Sequence, residues 1–517
     1  LICIEVLSIG WAAMAGYLLG IDNGGTVSKV ALFDLDGREV AIASRKVATA
    51  YPRPGWVERS MEDVWQSTAG AIRDVLEQSG IAPGAILAVG NTGHGNGVYL
   101  LDETGEPLCP APLSVDQRAA GIVSGWEQAG ITARIWEIVC QQSWAGQVLP
   151  LLGWFKQYMP ETYGRIGHVL LCKDFIKYRL TGVISTDPMD MSGTGLFDVR
   201  RRAYAGDVLE VCGLAEVLER LPAVAACEAI IGRVTQGAAA LTGLMPGTPV
   251  VAGIFDVSAC ALSAGVLEPG QACIVAGTWS INEVVTAEVI DHRDLFMNSV
   301  YVPGRFMLLE ASPTSASNLE WYVTQLGAAE AAEASTRGVS VYAVCNAIVE
   351  RTPETSVLFH PFLFGSNVGG NARAGFYGVG GWHTRDHLLR AVYEGIVYTH
   401  LSHLDKLRRC GVVVNSARLT GGGARSPVWA QMFADALQIP IEVVQGEEMG
   451  ARGAALCAGI GAGVYRDYAD AARQVVQVER RFELDAGRTS YYQERYRVHQ
   501  RLGEALRESW EAMAGWG

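Results

Sequence analysis

Apolar residues from Tyr17 to Ile21 form a short run, and a second run covers Val27 to Phe33. Asp34 to Gly37 supplies turn residues between that run and Glu39 to Val47, so the pattern predicts a three-stranded meander. The period then changes. Ser60, with Asp63 three residues on, marks a helix start, and Val64, Trp65, Thr68, Ile72, Val75 and Leu76 recur at helical spacing. Ile86 to Val89 reads as a buried strand. The predicted order is strand, strand, strand, helix, strand.

The same order returns later in the chain. Ala272 to Ala276 is an apolar strand, Gly277-Thr278 a turn, and Ile281 to Val285 and Arg305 to Glu310 are further strands. A helical segment follows through Ser317, Leu319, Trp321 and Tyr322. Both copies place a Gly-Thr pair in the turn between the first two strands. Duplication of this kind predicts two similar α/β domains with a cleft between them and a boundary just after Ala264. The expected division is residues 14–264, residues 265–463, and a polar, charged tail over residues 464–517, helical in period and packed on the second domain.

Composition narrows the class. A chain of 517 residues is expected to form two to four domains. Its 49% hydrophobic and 18% charged residues are an ordinary globular balance. A formal charge of -13 lacks the basic footprint of nucleic-acid binding. Eleven scattered cysteines, odd in number and without a Cys-x-x-Cys pair, read as reduced thiols of a cytosolic enzyme. Leu1 to Ala13 is mostly apolar, but its single charge, Glu5, does not make the basic region of a signal peptide. The stretch is also too short to span a bilayer. It reads as an upstream extension, with Met14 as the start. No later apolar run reaches membrane length without a charge or glycine break.

Four short motifs could carry chemistry. Asp22-Asn23-Gly24-Gly25-Thr26 follows a strand directly. Adjacent glycines allow a tight turn whose amides face an anion, Thr26 adds a hydroxyl, and Asp22 could hold a Mg²⁺ water. A plain hairpin turn has the same pattern. Gly277-Thr278-Trp279 is its counterpart, and the pair suggests two phosphate loops facing one nucleotide. Leu419-Thr420-Gly421-Gly422-Gly423-Ala424-Arg425-Ser426 carries a strand into glycines and then a helix; bare backbone lets a flat adenine or a ribose approach. No Gly-Lys-Ser/Thr follows, so it is not a Walker loop. Gly253-Ile254-Phe255-Asp256 delivers one carboxylate at a strand end. A lone aspartate there is commonly a helix cap, and it becomes a candidate base when phosphate loops point at it.

In this order, the motifs resemble those of the FGGY carbohydrate kinases. Gly375-Phe376-Tyr377-Gly378, followed by His387 to Gly395, looks like that family's second-domain signature, and Gly55-Trp56-Val57-Glu58 resembles its substrate-side loop. The resemblance spans Tyr17 to about Ala462. It implies an α/β fold of two ribonuclease-H-like (actin-like ATPase) domains around a central cleft, with ATP and Mg²⁺ as cofactors. It implies Asp256 as the base that takes the sugar hydroxyl's proton, and Asp22 with Asp256 holding Mg²⁺ through water. Gly24, Gly25, Thr26, Gly277 and Thr278 resemble the phosphate loops; Gly422, Gly423 and Ser426 resemble the adenosine loop. Trp56, Glu58, His94, Asn96, Asp116 and Arg118 fall where the family lines its sugar pocket.

Within the family, Glu310 to Ser315 and Asn318-Leu319-Glu320-Trp321 look most like the L-xylulose kinase branch, whereas Cys172-Lys173-Asp174 and Thr186-Asp187-Pro188 look more like erythritol kinases. Xylulokinases carry Gln-Met-His where this chain has His94-Gly95-Asn96, and Gly95 is expected to leave room at the end of the pocket. Many members have Gly-Glu-Arg-x-Pro where this chain reads Phe364-Gly365-Ser366-Asn367-Val368. The expected activity is phosphorylation of a small pentulose such as L-xylulose, with erythritol or another polyol as the alternative. A different class, an actin-like nucleotide switch, shares the fold but has no need of a sugar pocket. The expected partner is a small-molecule sugar, with no nucleic acid, no membrane, a possible homodimer and a cytoplasmic location. His360, His383, His400 and His403 read as structural, Arg201-Arg202 as a solvated turn, and Asp187 with Asp190 as a polar loop.

Overall fold

The computed structural model describes residues 16–366 and 368–513; the extension expected over residues 1–13 and the start at Met14 lie outside them. The apolar runs become strands. β1 (Tyr17–Asn23) pairs antiparallel with β2 (Val27–Phe33), and β2 with β3 (Glu39–Lys46). The two-residue strand β4 (Glu58–Arg59) precedes α1 (Met61–Ser79). The Ser60 hydroxyl accepts from Asp63 N at 3.2 Å, and the six apolar positions read from the sequence are all buried. β5 (Ile86–Gly93) returns parallel to β1. Helices α2 (Cys172–Thr181) and α3 (Pro188–Ser192) come next. At the far side β6 (Ile230–Arg233) pairs antiparallel with β7 (Pro249–Val251), and β7 and β8 (Ile254–Phe255) run parallel to β5.

α4 (Asp256–Ser263) leads to the second sheet. There β9 (Gln271–Ala276) pairs antiparallel with β10 (Ser280–Thr286), β12 (Phe306–Ser312) pairs antiparallel with β10, and β11 (Met297–Val300) lies at the edge beyond β12. After α5 (Ser317–Gln325) and the long α6 (Arg385–Arg409), β13 (Ser416–Thr420) returns parallel to β9. α7 (Pro427–Leu437) precedes β14 (Ile441–Val444), parallel to β13. α8 (Met449–Gly461) and α9 (Tyr468–Val475) follow, then β15 (Val478–Phe482), antiparallel to β14, and α10 (Ala486–Ala505). Each sheet is therefore a run of antiparallel strands followed by parallel returns beside its first strand: the duplicated actin-like arrangement. Five of these strands, β4, β6, β11, β14 and β15, went unread. β11 is short, and β15 carries Glu479, Arg480 and Arg481 on an edge, where charge is tolerated.

The layer between the sheets is made of α4 and α8. Ala259, Ala261, Ala451, Ala454 and Ala458 form its dry packing. α8 lies so close to the first sheet that a Cβ on Gly20 or Gly90 would sit 1.9 Å from the Ala451 or Ala454 carbonyl oxygen. The two halves are thus joined by backbone-to-backbone contact directly beneath the cleft. Among the described residues no helix is long and apolar enough to cross a membrane, and the ten described cysteines are free thiols.

Candidate active site

The carboxyl ends of β1, β5 and β8 lie side by side, the place where open α/β sheets take ligands. Asp22 is the penultimate residue of β1, and Asp256 follows β8 as the first residue of α4. The three ends are tied together. His94 N donates to Asn23 O at 2.9 Å, and Thr92 Oγ1 donates to Ile254 O at 2.6 Å. In the turn after Asp22, Gly24 N donates to Val27 O at 3.0 Å, while the Ser28 and Thr68 hydroxyls donate to Asn23 Oδ1 at 2.7 and 2.8 Å. Gly25 and Thr26 stay exposed.

Three carboxyl groups influence one another here. Burial pushes Asp22 up to about 6, with Lys29 opposing the shift and Glu448 adding to it. Burial and the Asp22 charge push Asp256 up to about 7. Glu283 on β10 is pushed up to about 8 by burial and by Asp256. Glu283 is fully buried, and neither of its carboxylate oxygens has a hydrogen-bond partner. Lys29 pairs with Glu448 at 3.0 Å just before α8, and the helix start is so close that a Cβ on Gly450 would sit 2.4 Å from Asp22 Oδ2. The concentration of negative charge fits a site completed by a divalent cation carried on phosphates, which needs only one or two protein carboxylates.

The residues expected to line the sugar pocket form two groups. β4 pairs with residues Ala111–Pro112. Beyond that pair, Asp116 is wholly buried and accepts from Val57 N at 2.7 Å, Arg118 N at 2.8 Å and Arg118 Nε at 2.9 Å. Arg118 Nη2 donates to Glu58 at 2.7 Å, and its guanidinium lies 4.1 Å over the Trp56 ring. Both Asp116 oxygens are thus committed to Val57 and Arg118, so Asp116 braces Arg118 rather than offering a free carboxylate. His94 and Asn96 form the second group. Burial and the Arg59 charge lower His94 to about 3, which keeps it neutral. His94 Nδ1 and Asn96 Oδ1 are buried without partners. The room expected at Gly95 is absent: a Cβ there would meet Phe255 Cε2 at 2.3 Å, because the loop packs on the residue preceding Asp256.

Across the cleft, the Gly277 and Thr278 carbonyls are tied to the start of α5, accepting from Ala316 N at 2.8 Å and Ser317 Oγ at 3.1 Å. Gly421 (φ 78°) brings the glycine loop against this turn, where a Cβ would lie 3.0 Å from Ala276 O. Gly422 is open to the surroundings. Gly423 packs on Ala276, and Ser426 caps α7 and donates to Asn346 at 2.7 Å. A cavity of about 380 Å³ bridges the halves, lined by Lys29, Glu448, Gly421, Gly422 and Arg425.

Asp187 and Asp190 are not a polar loop. Both are buried against Lys173, at 2.6 and 3.4 Å, and Asp187 also caps α3. The missed signal is the lysine itself, flanked by apolar sequence. His400 and His403 bond Asn282 and Ser312 at 2.9 and 2.8 Å within the core, as a structural role requires. Lys29, Arg59 and Glu283 were not singled out from the sequence, although Glu283 with Asn282 interrupts the apolar residues of β10. Among the described residues no group of three or more His, Cys, Asp or Glu side chains is arranged to hold a metal ion by itself.

Residues 17–263 match the model for the N-terminal domain of the FGGY family of carbohydrate kinases, and residues 272–462 match its C-terminal domain. An L-xylulose/3-keto-L-gulonate kinase of Escherichia coli (strain K12) is 38% identical over 497 residues, covering 95% of this chain and 98% of its own. A probable L-xylulose kinase of Pasteurella multocida (strain Pm70) is 38% identical over 495 residues, covering 95% and 99%. The crystal structure of a xylulose kinase from Rhodospirillum rubrum is similar with a TM-score of 0.85 at 26% identity, covering 96% of this chain and all of the other.

Proposed function

Because this chain belongs to the FGGY family of carbohydrate kinases, we propose that it transfers the γ-phosphoryl group of ATP to a hydroxyl of a small pentulose, L-xylulose first. The observation that carries this reading is the convergence of Asp22, Asp256, His94 and Asn96 on the carboxyl ends of three adjacent strands, while Lys29 of the same sheet lines one cavity with Gly421 and Gly422. In this reading Asp256 takes the proton as the hydroxyl oxygen attacks the γ-phosphorus and ADP leaves. Its raised affinity for protons suits a base working near neutrality. Asp22, and Asp256 through water, would hold Mg²⁺, which supplies neutralisation of the phosphate charge. Gly24, Gly25, Thr26, Gly277 and Thr278 receive the phosphates; Gly422, supported by Gly423 and Ser426, receives the adenosine.

His94 Nδ1 and Asn96 Oδ1 are the unpartnered atoms a sugar hydroxyl would satisfy, with Trp56, Glu58 and Arg118 forming the wall that Asp116 braces. Both relatives at 38% identity are named for L-xylulose. The charge of Arg118 is already spent on Glu58 and Asp116, which favours an uncharged sugar over a sugar acid. The domain division follows the same reading, 14–264 for sugar and 265–463 for nucleotide; of the tail expected over 464–517 on the latter, β15 and α10 pack there, whereas Tyr465 and Tyr468 bond Leu35 and Glu228 of the first domain. The setting is cytoplasmic, without nucleic-acid or membrane partners, and a homodimer is compatible with it. Incubation with Mg·ATP and L-xylulose, followed by mass spectrometry, should yield one phosphosugar per ADP. ADP without phosphosugar would contradict the reading.

A further inference from the structure

Arg59 stands between the two halves of the site. Its side chain is 1% exposed, yet the ion pairs among the described residues give it no carboxylate partner. A buried guanidinium is costly unless its donors are used. Here Nη1 donates to Gly24 O at 3.2 Å and Nη2 donates to Gly25 O, while Nε has no partner. The planar fork therefore grips two successive carbonyls of the turn that follows Asp22. Gly24 N is taken by Val27 O, and the Gly25 and Thr26 amides have no backbone partner among the described residues. A lysine could not make this paired contact.

The preceding residue does the other half of the work. Side chains alternate along a strand, so on β4 Glu58 faces the pocket and bonds Arg118 while Arg59 faces the turn. β4 is held at its start by Asp116, which accepts from Val57 N. Any shift of Glu58 and Arg118 around a sugar is carried one residue along a rigid two-residue strand to Gly24 and Gly25. We propose that Arg59 is a positioning residue that couples the sugar pocket to the phosphate turn, so that sugar and Mg·ATP tighten one another's binding. This rests on the reading above that the Gly24–Thr26 turn receives phosphate.

Calorimetric titration tests it. L-Xylulose alone is titrated first; lack of binding there would sink the substrate reading and leave the coupling to be tested with the pentulose that does bind. A non-hydrolysable Mg·ATP analogue is then titrated with and without sugar. Wild type should show a gain of about 5- to 150-fold, the usual range for coupled sites, whereas Arg59→Gln should bind sugar as before and lose the gain. Equal coupling in both proteins, or none in wild type, overturns the proposal. Hydrogen exchange on the wild-type protein gives a second test independent of the variant's folding: sugar alone should slow exchange at the Gly25 and Thr26 amides, and unchanged exchange there overturns it.

Discussion

At the residue scale, a carboxyl group whose proton affinity is raised must lose its proton to act as a base. With Asp256 at about 7 in the free enzyme, kcat/KM should climb as pH rises through that value and level off above it. A profile flat from about pH 5 to 8 would remove Asp256 from proton transfer. Asp256→Asn should lower kcat by about 10²–10⁴-fold while sugar still binds, as loss of a general base does; near wild-type turnover would refute the role. Glu283 makes a different prediction. Unfolded, it titrates at about 4.3; folded, it is pushed up to about 8. Below the lower value both states hold the proton, and stability is lost as pH rises toward the upper one. Glu283→Gln should therefore gain in melting temperature over wild type as pH rises from about 5 to 8, and parallel melting curves would contradict this. Asp256 could be singled out because it ends an apolar run that a helix follows. Asp116 was expected to line the pocket; that it is a buried brace was not legible, since hydrogen bonding to Val57 and Arg118 is a tertiary fact.

At the element scale, the strands of the first meander and α1 were readable because period and capping agree with the final packing. β15 was not. Its Arg481 pairs with Glu442 at 2.8 Å and its Arg480 donates to Ala424 O at 2.9 Å, so its conformation is fixed by the neighbouring strand and loop rather than by its own apolar pattern. The placement of α8 was equally hidden: a helix late in the chain packs on strands at its beginning, and glycines at the contact, Gly20, Gly90, Gly450 and Gly459 among them, bear the mark. Gly90→Ala tests that contact, because the methyl would press on the Ala454 carbonyl, which must move. It should cost about 1–3 kcal/mol in urea unfolding. No loss of stability would mean that α8 does not lie against β5 as described.

At the scale of the whole molecule, duplication of the fold sets two loops across one cleft, and the dry α4–α8 layer joins the halves below it. Excluding water from a phosphoryl acceptor requires the halves to close. Small-angle scattering should give a smaller radius of gyration with sugar and a non-hydrolysable nucleotide bound than with neither, and an unchanged radius would count against closure. Substrate choice was only partly legible. Branch-like segments pointed toward L-xylulose, but the shape of the pocket depends on Phe255 filling the space at Gly95 and on Asp116 fixing Arg118, contacts between residues far apart in sequence. The most direct measurement is kcat/KM for ATP-dependent phosphorylation of L-xylulose, D-xylulose, L-ribulose, erythritol and glycerol under one set of conditions. L-Xylulose should give the highest value; preference for D-xylulose or glycerol, or ADP formation indifferent to every sugar, would contradict a pentulose kinase of this specificity.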